Sequence, residues 1–153
     1  MNRKFIIFIE THAHSVLRLG MSAVVLWFSI EQFLHNSLWT AYVPDSIVSL
    51  THMSAGTIVF FNALFELIFG LALAFGIRVR IVALLLALHL FDIAWTVGYG
   101  EIGVRDFGLA IGTLVVAMNG PDKFSLQQLP PVMKDEYDTN DMRESTINNK
   151  YNQ

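Results

Sequence analysis

Four apolar stretches, Val16–Leu34, Met53–Phe75, Val79–Val97 and Asp106–Asn119, follow one another along the chain with only short connections between them. A helix of about 20 residues rises about 30 Å, the thickness of a bilayer's hydrocarbon core. The fourth stretch is the shortest and must begin in the outer interface if it is to cross. Lipid offers no partner to a backbone N–H or C=O, so the spans must be helical, and the chain is too short for a barrel of alternating strands. Hydrophobic residues make up 54% against 15% charged, with mean hydropathy +0.49, which is too apolar for an ordinary soluble domain. The expected fold class is therefore all-α: an integral membrane four-helix bundle.

Basic residues set the expected orientation, because short loops rich in Lys and Arg stay in the cytoplasm. Arg3, Lys4 and Arg18 precede or open the first span, Arg78 and Arg80 lie between the second and third, and Lys123 follows the fourth. Both termini are expected to be cytoplasmic. Trp39 and Tyr42 in the first loop, with Trp95 and Tyr99 ending the third span, fit an outer aromatic belt. Residues 1–15 begin like a signal peptide, but FIIFI is too short for its apolar core and no small-residue cleavage site follows. They are expected to lie along the membrane surface, ahead of a transmembrane domain at 16–119. After Asn119-Gly120-Pro121 the composition turns polar, and 120–153 is expected to be a cytoplasmic tail, ordered only where a partner holds it.

Several chemistries are set aside. The absence of cysteine removes disulfides, thiol chemistry and thiolate metal ligands. A net charge of −3 leaves no basic footprint for nucleic acid. Gly98-x-Gly100-x-x-Gly103 matches the dinucleotide fingerprint in letters, yet it joins two membrane helices where that motif needs a strand and a helix, so a turn is expected. His12 and His14, at i and i+2, point apart on a helix, and with His35 and His52 they read as interfacial histidines. Gly108-x-x-x-Gly112 permits close helix approach, within the chain or from a partner.

The ionisable groups inside the spans carry more information, because each costs roughly 2.5 to 3.5 kcal/mol near the bilayer centre unless compensated. At about 1.5 Å per residue, Glu66 and His89 lie about 15 Å deep, while Glu31 and Asp92 lie about 20 Å or more from the cytoplasmic side. Arg105 and Asp106 open the fourth span at that outer level. His89 and Asp92 share a helix face, as do Glu31 and His35. The six groups Glu31, Glu66, His89, Asp92, Arg105 and Asp106 can thus line a polar seam from midplane to outer surface. Three readings stay open: interhelical hydrogen bonding with Arg105 paired to Asp92 or Asp106, a proton path or quinone-head pocket, and a metal site of Glu31, Glu66 and His89. The last needs a convergence that spacing does not supply, so no metal is assigned, and no residue is named as catalytic.

Several stretches together resemble the DoxX family of small membrane proteins. They are Arg18-Leu19-Gly20 leading into LWFSIEQFLHNSLWTAYVP, then FELIFGLALAFGIRVRIVALLLALHL, Arg105-Asp106-Phe107-Gly108-Leu109, and Asn119-Gly120-Pro121 with Phe124-Ser125-Leu126. The likeness runs over about residues 15–126. It implies a four-helix membrane bundle acting as a component of a quinone-linked oxidoreductase system, and the DoxD relatives belong to a thiosulfate:quinone oxidoreductase. It also implies that Glu66, Arg80, Arg105 and Asp106 are characteristic polar positions. Where the family often has a lysine near the end of the first helix, this chain has Ser29-Ile30-Glu31-Gln32, so a cationic role at that position is not carried over.

The expected function is an accessory subunit of a membrane-bound oxidoreductase complex in the prokaryotic cytoplasmic membrane. Its expected partners are lipid and other subunits, and quinone is the one cofactor class suggested. The alternatives are a purely structural subunit, an autonomous quinone-reducing enzyme, and a small transporter. The transporter lacks support from any inverted repeat or internal proline, since all four prolines lie outside the spans.

Overall fold

The computed structural model describes residues 3–127, 138–143 and 145–146, and among them all regular structure is helical. The elements are α1 (Arg3–Leu34), α2 (Asn36–Trp39), a 3-10 turn (Thr40–Tyr42), α3 (Asp45–Thr51), α4 (Ala55–Ala74), α5 (Val79–Val97) and α6 (Glu101–Asn119). The long helices run alternately up and down. α1 lies along α4 and α5 along α6, and these pairs meet through α4 with α5 and α1 with α6.

Three helical segments are long and apolar enough to cross a membrane: Thr11–Leu34, Ala55–Ala74 and Val79–Val97. The orientation of side chains in α1 shows what solvent surrounds them. Thr11, Ser15, Arg18, Ser22, Ser29 and Gln32, together with the apolar Met21 and Val25, form its buried stripe, while Val16, Leu19, Trp27, Ile30 and Leu34 face outward. A water-soluble helix does the reverse. Here lipid is the outer medium, and polar side chains find their partners between helices. Small residues allow that approach: Ala63, Ala83, Ala87 and Ala110 are wholly buried, and a Cβ on Gly70 would lie 3.0 Å from Leu26.

Several boundaries differ from expectation. α1 passes residue 15 without a break, so the segment expected to lie along the surface belongs to the helix that continues as the first span. No Gly or Pro falls between Arg3 and Leu19 to stop it. α6 starts at Glu101 rather than Asp106, with the Glu101 carboxylate in its first turn, where the helix dipole favours it. The turn before α6 accounts for the glycines of the fingerprint-like motif. Gly98 sits at φ +80°, and a Cβ on Gly103 would collide with the Gly98 carbonyl oxygen.

The expected tail also starts later than residue 120. Leu126 and Gln127 donate backbone N–H bonds to Phe75 and Gly76 at 3.0 and 3.1 Å, and the Gln127 side chain accepts from Val79 N–H, an orphan donor at the start of α5. Residues 121–127 are thus a strap across the α4–α5 turn. The rest of the expected tail lies largely outside the described residues.

Candidate functional site

A cleft of about 190 Å³ lies between the α1–α4 pair and the α5–α6 pair, at the end bearing the first loop. Its walls are mainly apolar, with Val25, Val59, Leu90 and Ile93 from the helices and Trp39 and Ile47 from the loop. Its polar groups include Gln32, Asn62, Glu66, Asp92, Arg105 and Asp106. An apolar cleft with a few convergent polar groups is the usual form of a small-molecule site.

Glu66 is nearly buried at the inner end of this cleft. Gln32 Nε2 donates to its Oε2 at 2.7 Å and Asn62 Nδ2 to its Oε1 at 3.1 Å, while Asn62 also donates to Gln32 Oε1 at 2.8 Å. Both carboxyl oxygens are therefore held by amides. Asn62 and Glu66 are one helical turn apart on α4, so α4 sets two corners of the triangle and α1 the third.

His89 of α5 approaches from another side. Its Nε2 lies 3.8 Å from Glu66 Oε1, beyond hydrogen-bond range, and this buried nitrogen has no hydrogen-bond partner. The ring packs against Phe65 with centroids 4.4 Å apart, and His89 is not part of the cleft wall. Asp92, one turn further along α5, is exposed at the cleft, and its charge acts on His89.

α6 supplies the remaining pair. Arg105 Nε donates to Asp106 Oδ1 at 2.7 Å, and the guanidinium lies 4.1 Å from the Phe28 ring centroid. Asp106 is buried, and both groups act electrostatically on Glu66. Arg105 is thus paired with Asp106 and not with Asp92, and its position is fixed from two sides.

Of the six residues expected in the seam, Glu66, Asp92, Arg105 and Asp106 line the cleft, His89 stands beside Glu66 outside its wall, and Glu31 does neither. Glu31 turns to the surface and accepts from His35 Nδ1 at 2.9 Å, one turn on along the helix end. The neighbouring Gln32 occupies the inward position. Among the described residues no group of three or more His, Cys, Asp or Glu is arranged to hold a metal ion. Glu31, one of the three residues of the metal reading, is thus turned toward His35, while Glu66 and His89 stand beside each other. Sequence reasoning passed over Gln32 and Asn62; the spacing of Asn62 and Glu66 at i and i+4 was the available signal.

The two glycines singled out on α6 differ. A Cβ on Gly112 would lie 3.1 Å from Met21 Sδ of α1, whereas one on Gly108 would meet nothing within 4 Å. Gly112 serves contact inside the chain. Arg80, at the opposite end from the cleft, donates from Nη1 to Met118 O at 3.0 Å and so caps the C-terminal end of α6.

That opposite end holds a second polar centre. Arg18 is fully buried, with Nε to Asp122 Oδ2 at 2.8 Å, Nη2 to Asp122 Oδ1 at 3.2 Å, and Nη1 to the Leu73 and Ala74 carbonyls at 2.7 Å each. Asp122 Oδ1 also accepts from Phe124 N–H and Ser125 Oγ. His14 Nε2 donates to Gly120 O at 2.6 Å. His14 Nδ1 is buried without a hydrogen-bond partner, while the Arg18 and Asp122 side chains fasten the strap to α1 and to the end of α4, a structural task.

Against known proteins, the family model DoxX matches residues 13–99, more than half of the chain. The chain belongs to the DoxX family. This makes it a small membrane protein, in keeping with the outward-facing apolar helices. The DoxX match takes in Gln32, Asn62, Glu66, His89 and Asp92 and stops before Arg105 and Asp106. Comparison with curated proteins and with solved structures finds no match.

Proposed function

We propose that this DoxX-family protein is an accessory subunit of a quinone-linked oxidoreductase complex and that its cleft seats a quinone head. The observation that carries the reading is the cleft itself: apolar walls around a buried Glu66 whose oxygens are tied by Gln32 and Asn62, with Arg105 held in place at the side. An apolar volume of about 150 Å³ takes up benzene, so about 190 Å³ suits one substituted ring. Arg105 and the second N–H of Gln32 Nε2 offer hydrogen-bond donors to ring oxygens, and the walls exclude water. In this reading α6 serves as a fourth span, completing a four-helix bundle. The basic residues then put both termini in the cytoplasm, with the first loop and the cleft at the outer face of a prokaryotic membrane.

In this reading the chain acts as a subunit and the redox chemistry resides on its partners. The test is mild-detergent purification from native membranes, followed by mass spectrometry of proteins and lipid-soluble molecules that remain bound. Stoichiometric recovery with larger redox subunits and a quinone is the expected result. Recovery alone, free of quinone, overturns the proposal.

A further inference from the structure

Glu66 has two separate approaches: one oxygen-bearing side forms part of the cleft, and on the other His89 Nε2 stands 3.8 Å from Oε1 with no partner of its own. Asp92 continues this line to the exposed rim of the cleft, one helical turn, or about 5 Å, along α5. A shift of about 1 Å in either side chain brings His89 Nε2 within hydrogen-bond distance of Glu66. Asp106 is the other carboxyl whose charge acts on His89, and Arg105 is tied to Asp106.

We propose that Asp92, His89 and Glu66 form a proton chain from the rim to the inner end of the cleft, with Glu66 exchanging a proton with an acidic ring hydroxyl of the occupant. The proposal rests on the reading of the cleft as the seat of a ring-borne oxygen. The step is acid–base alone. The occupant's O–H bond breaks, its electron pair stays on the oxygen, and the Glu66 carboxylate takes the proton. Glu66 then yields that proton to His89 Nε2, and His89 releases one from Nδ1 towards Asp92 and the rim. The reverse sequence delivers a proton to the occupant. An imidazole is suited to this because its two nitrogens accept and release protons at opposite edges. The empty coordination of Nε2 beside a carboxyl is thereby accounted for, where a purely structural histidine would hold a hydrogen bond.

The full chain in lipid nanodiscs, titrated with 4-nitrophenol, tests this, since the neutral and ionised probe absorb at different wavelengths. After a rapid pH jump the bound probe is expected to change ionisation at least about tenfold more slowly in His89→Gln and in Asp92→Asn than in the unaltered chain. Affinity is expected to stay within about twofold in His89→Gln, because His89 is not part of the cleft wall, and the Asp92→Asn rates are read at saturating probe. Glu66→Gln is expected to bind the probe without the fast ionisation phase. Saturable binding with unchanged pH-jump rates in both His89→Gln and Asp92→Asn overturns the proton chain and leaves the cleft reading standing. Absence of saturable binding to the unaltered chain overturns both. Asp92 is exposed, so its variant tests the chain even if the His89 variant fails to fold.

Discussion

Arg18 and Asp122, 104 residues apart in the chain, meet as a forked ion pair from which solvent is wholly excluded. The pair joins α1 to the strap, and the second fork of Arg18 closes the last carbonyls of α4. Removing one partner of a buried pair leaves an uncompensated charge. Arg18→Met is therefore expected to destabilise the fold by about 3–5 kcal/mol. Asp122→Asn, which keeps the shape and some hydrogen bonds, is expected to cost about 1–3 kcal/mol. Thermal unfolding of the purified protein in nanodiscs measures both.

The same pair sets a pH dependence. Burial alone would push the Asp122 carboxyl up, but the hydrogen bonds from Arg18 and Phe124 N–H, with the charges of Arg18 and His14, outweigh it and hold the group below the usual carboxylate range. A carboxyl depressed in the folded state contributes stability that is fully present above its unfolded value and is lost as pH falls through its folded value. Stability is expected to hold from neutrality to about pH 5 and to decline below about pH 4, with Asp122→Asn lacking that part of the decline. Unfolding midpoints taken across the acid range check this, and equal slopes in the two proteins would contradict it.

The glycines of α6 are expected to respond unequally. Gly112→Val drives a branched side chain into Met21 and is expected to cost about 1–3 kcal/mol. Gly108→Ala adds a methyl to open space and is expected to be neutral, or stabilising by up to about 1 kcal/mol through helix propensity. If Gly108 instead packed against a second protein, Gly108→Ala would reduce recovery of that protein in native purification.

Gln32 and Asn62 are expected to matter to Glu66 more than their uncharged side chains suggest. Gln32→Leu removes the 2.7 Å donor from Glu66 Oε2 and leaves Asn62 one acceptor short. A loss of about 1–3 kcal/mol is expected. Glu31→Gln, which touches only the surface pair with His35, is expected to fall within about 0.5 kcal/mol of the unaltered chain. Equal effects at positions 31 and 32 would refute the inward placement of Gln32.

The long helices were the legible part of this chain, because lipid demands unbroken apolar runs of a fixed length. The third expected span and α5 share the bounds Val79–Val97, and α4 falls within two residues of the second. The interior was harder to read. Glu31 and Gln32 are adjacent, about 100° apart on the helix, and charge alone points to Glu31, whereas packing on α4 turns Gln32 inward. Arg18 counted in sequence as a topogenic charge and as part of the Arg18-Leu19-Gly20 stretch, not as a buried group. Its burial depends on Asp122, which the polar composition after Gly120 disguised as the beginning of a loose tail. The short helices of the first loop have no periodicity long enough to detect, although they supply Trp39 and Ile47 to the cleft.

The most direct test of the cleft as a quinone seat is equilibrium binding of a short-chain quinone to the full chain in nanodiscs, compared with Thr96→Trp. Thr96 lines the cleft and is only partly buried, so the indole fills the space without entering the packed core. Saturable one-to-one binding, weakened at least about tenfold by the substitution, is the expected result. Uptake no greater than that of empty nanodiscs, or binding that Thr96→Trp leaves unchanged, would contradict it.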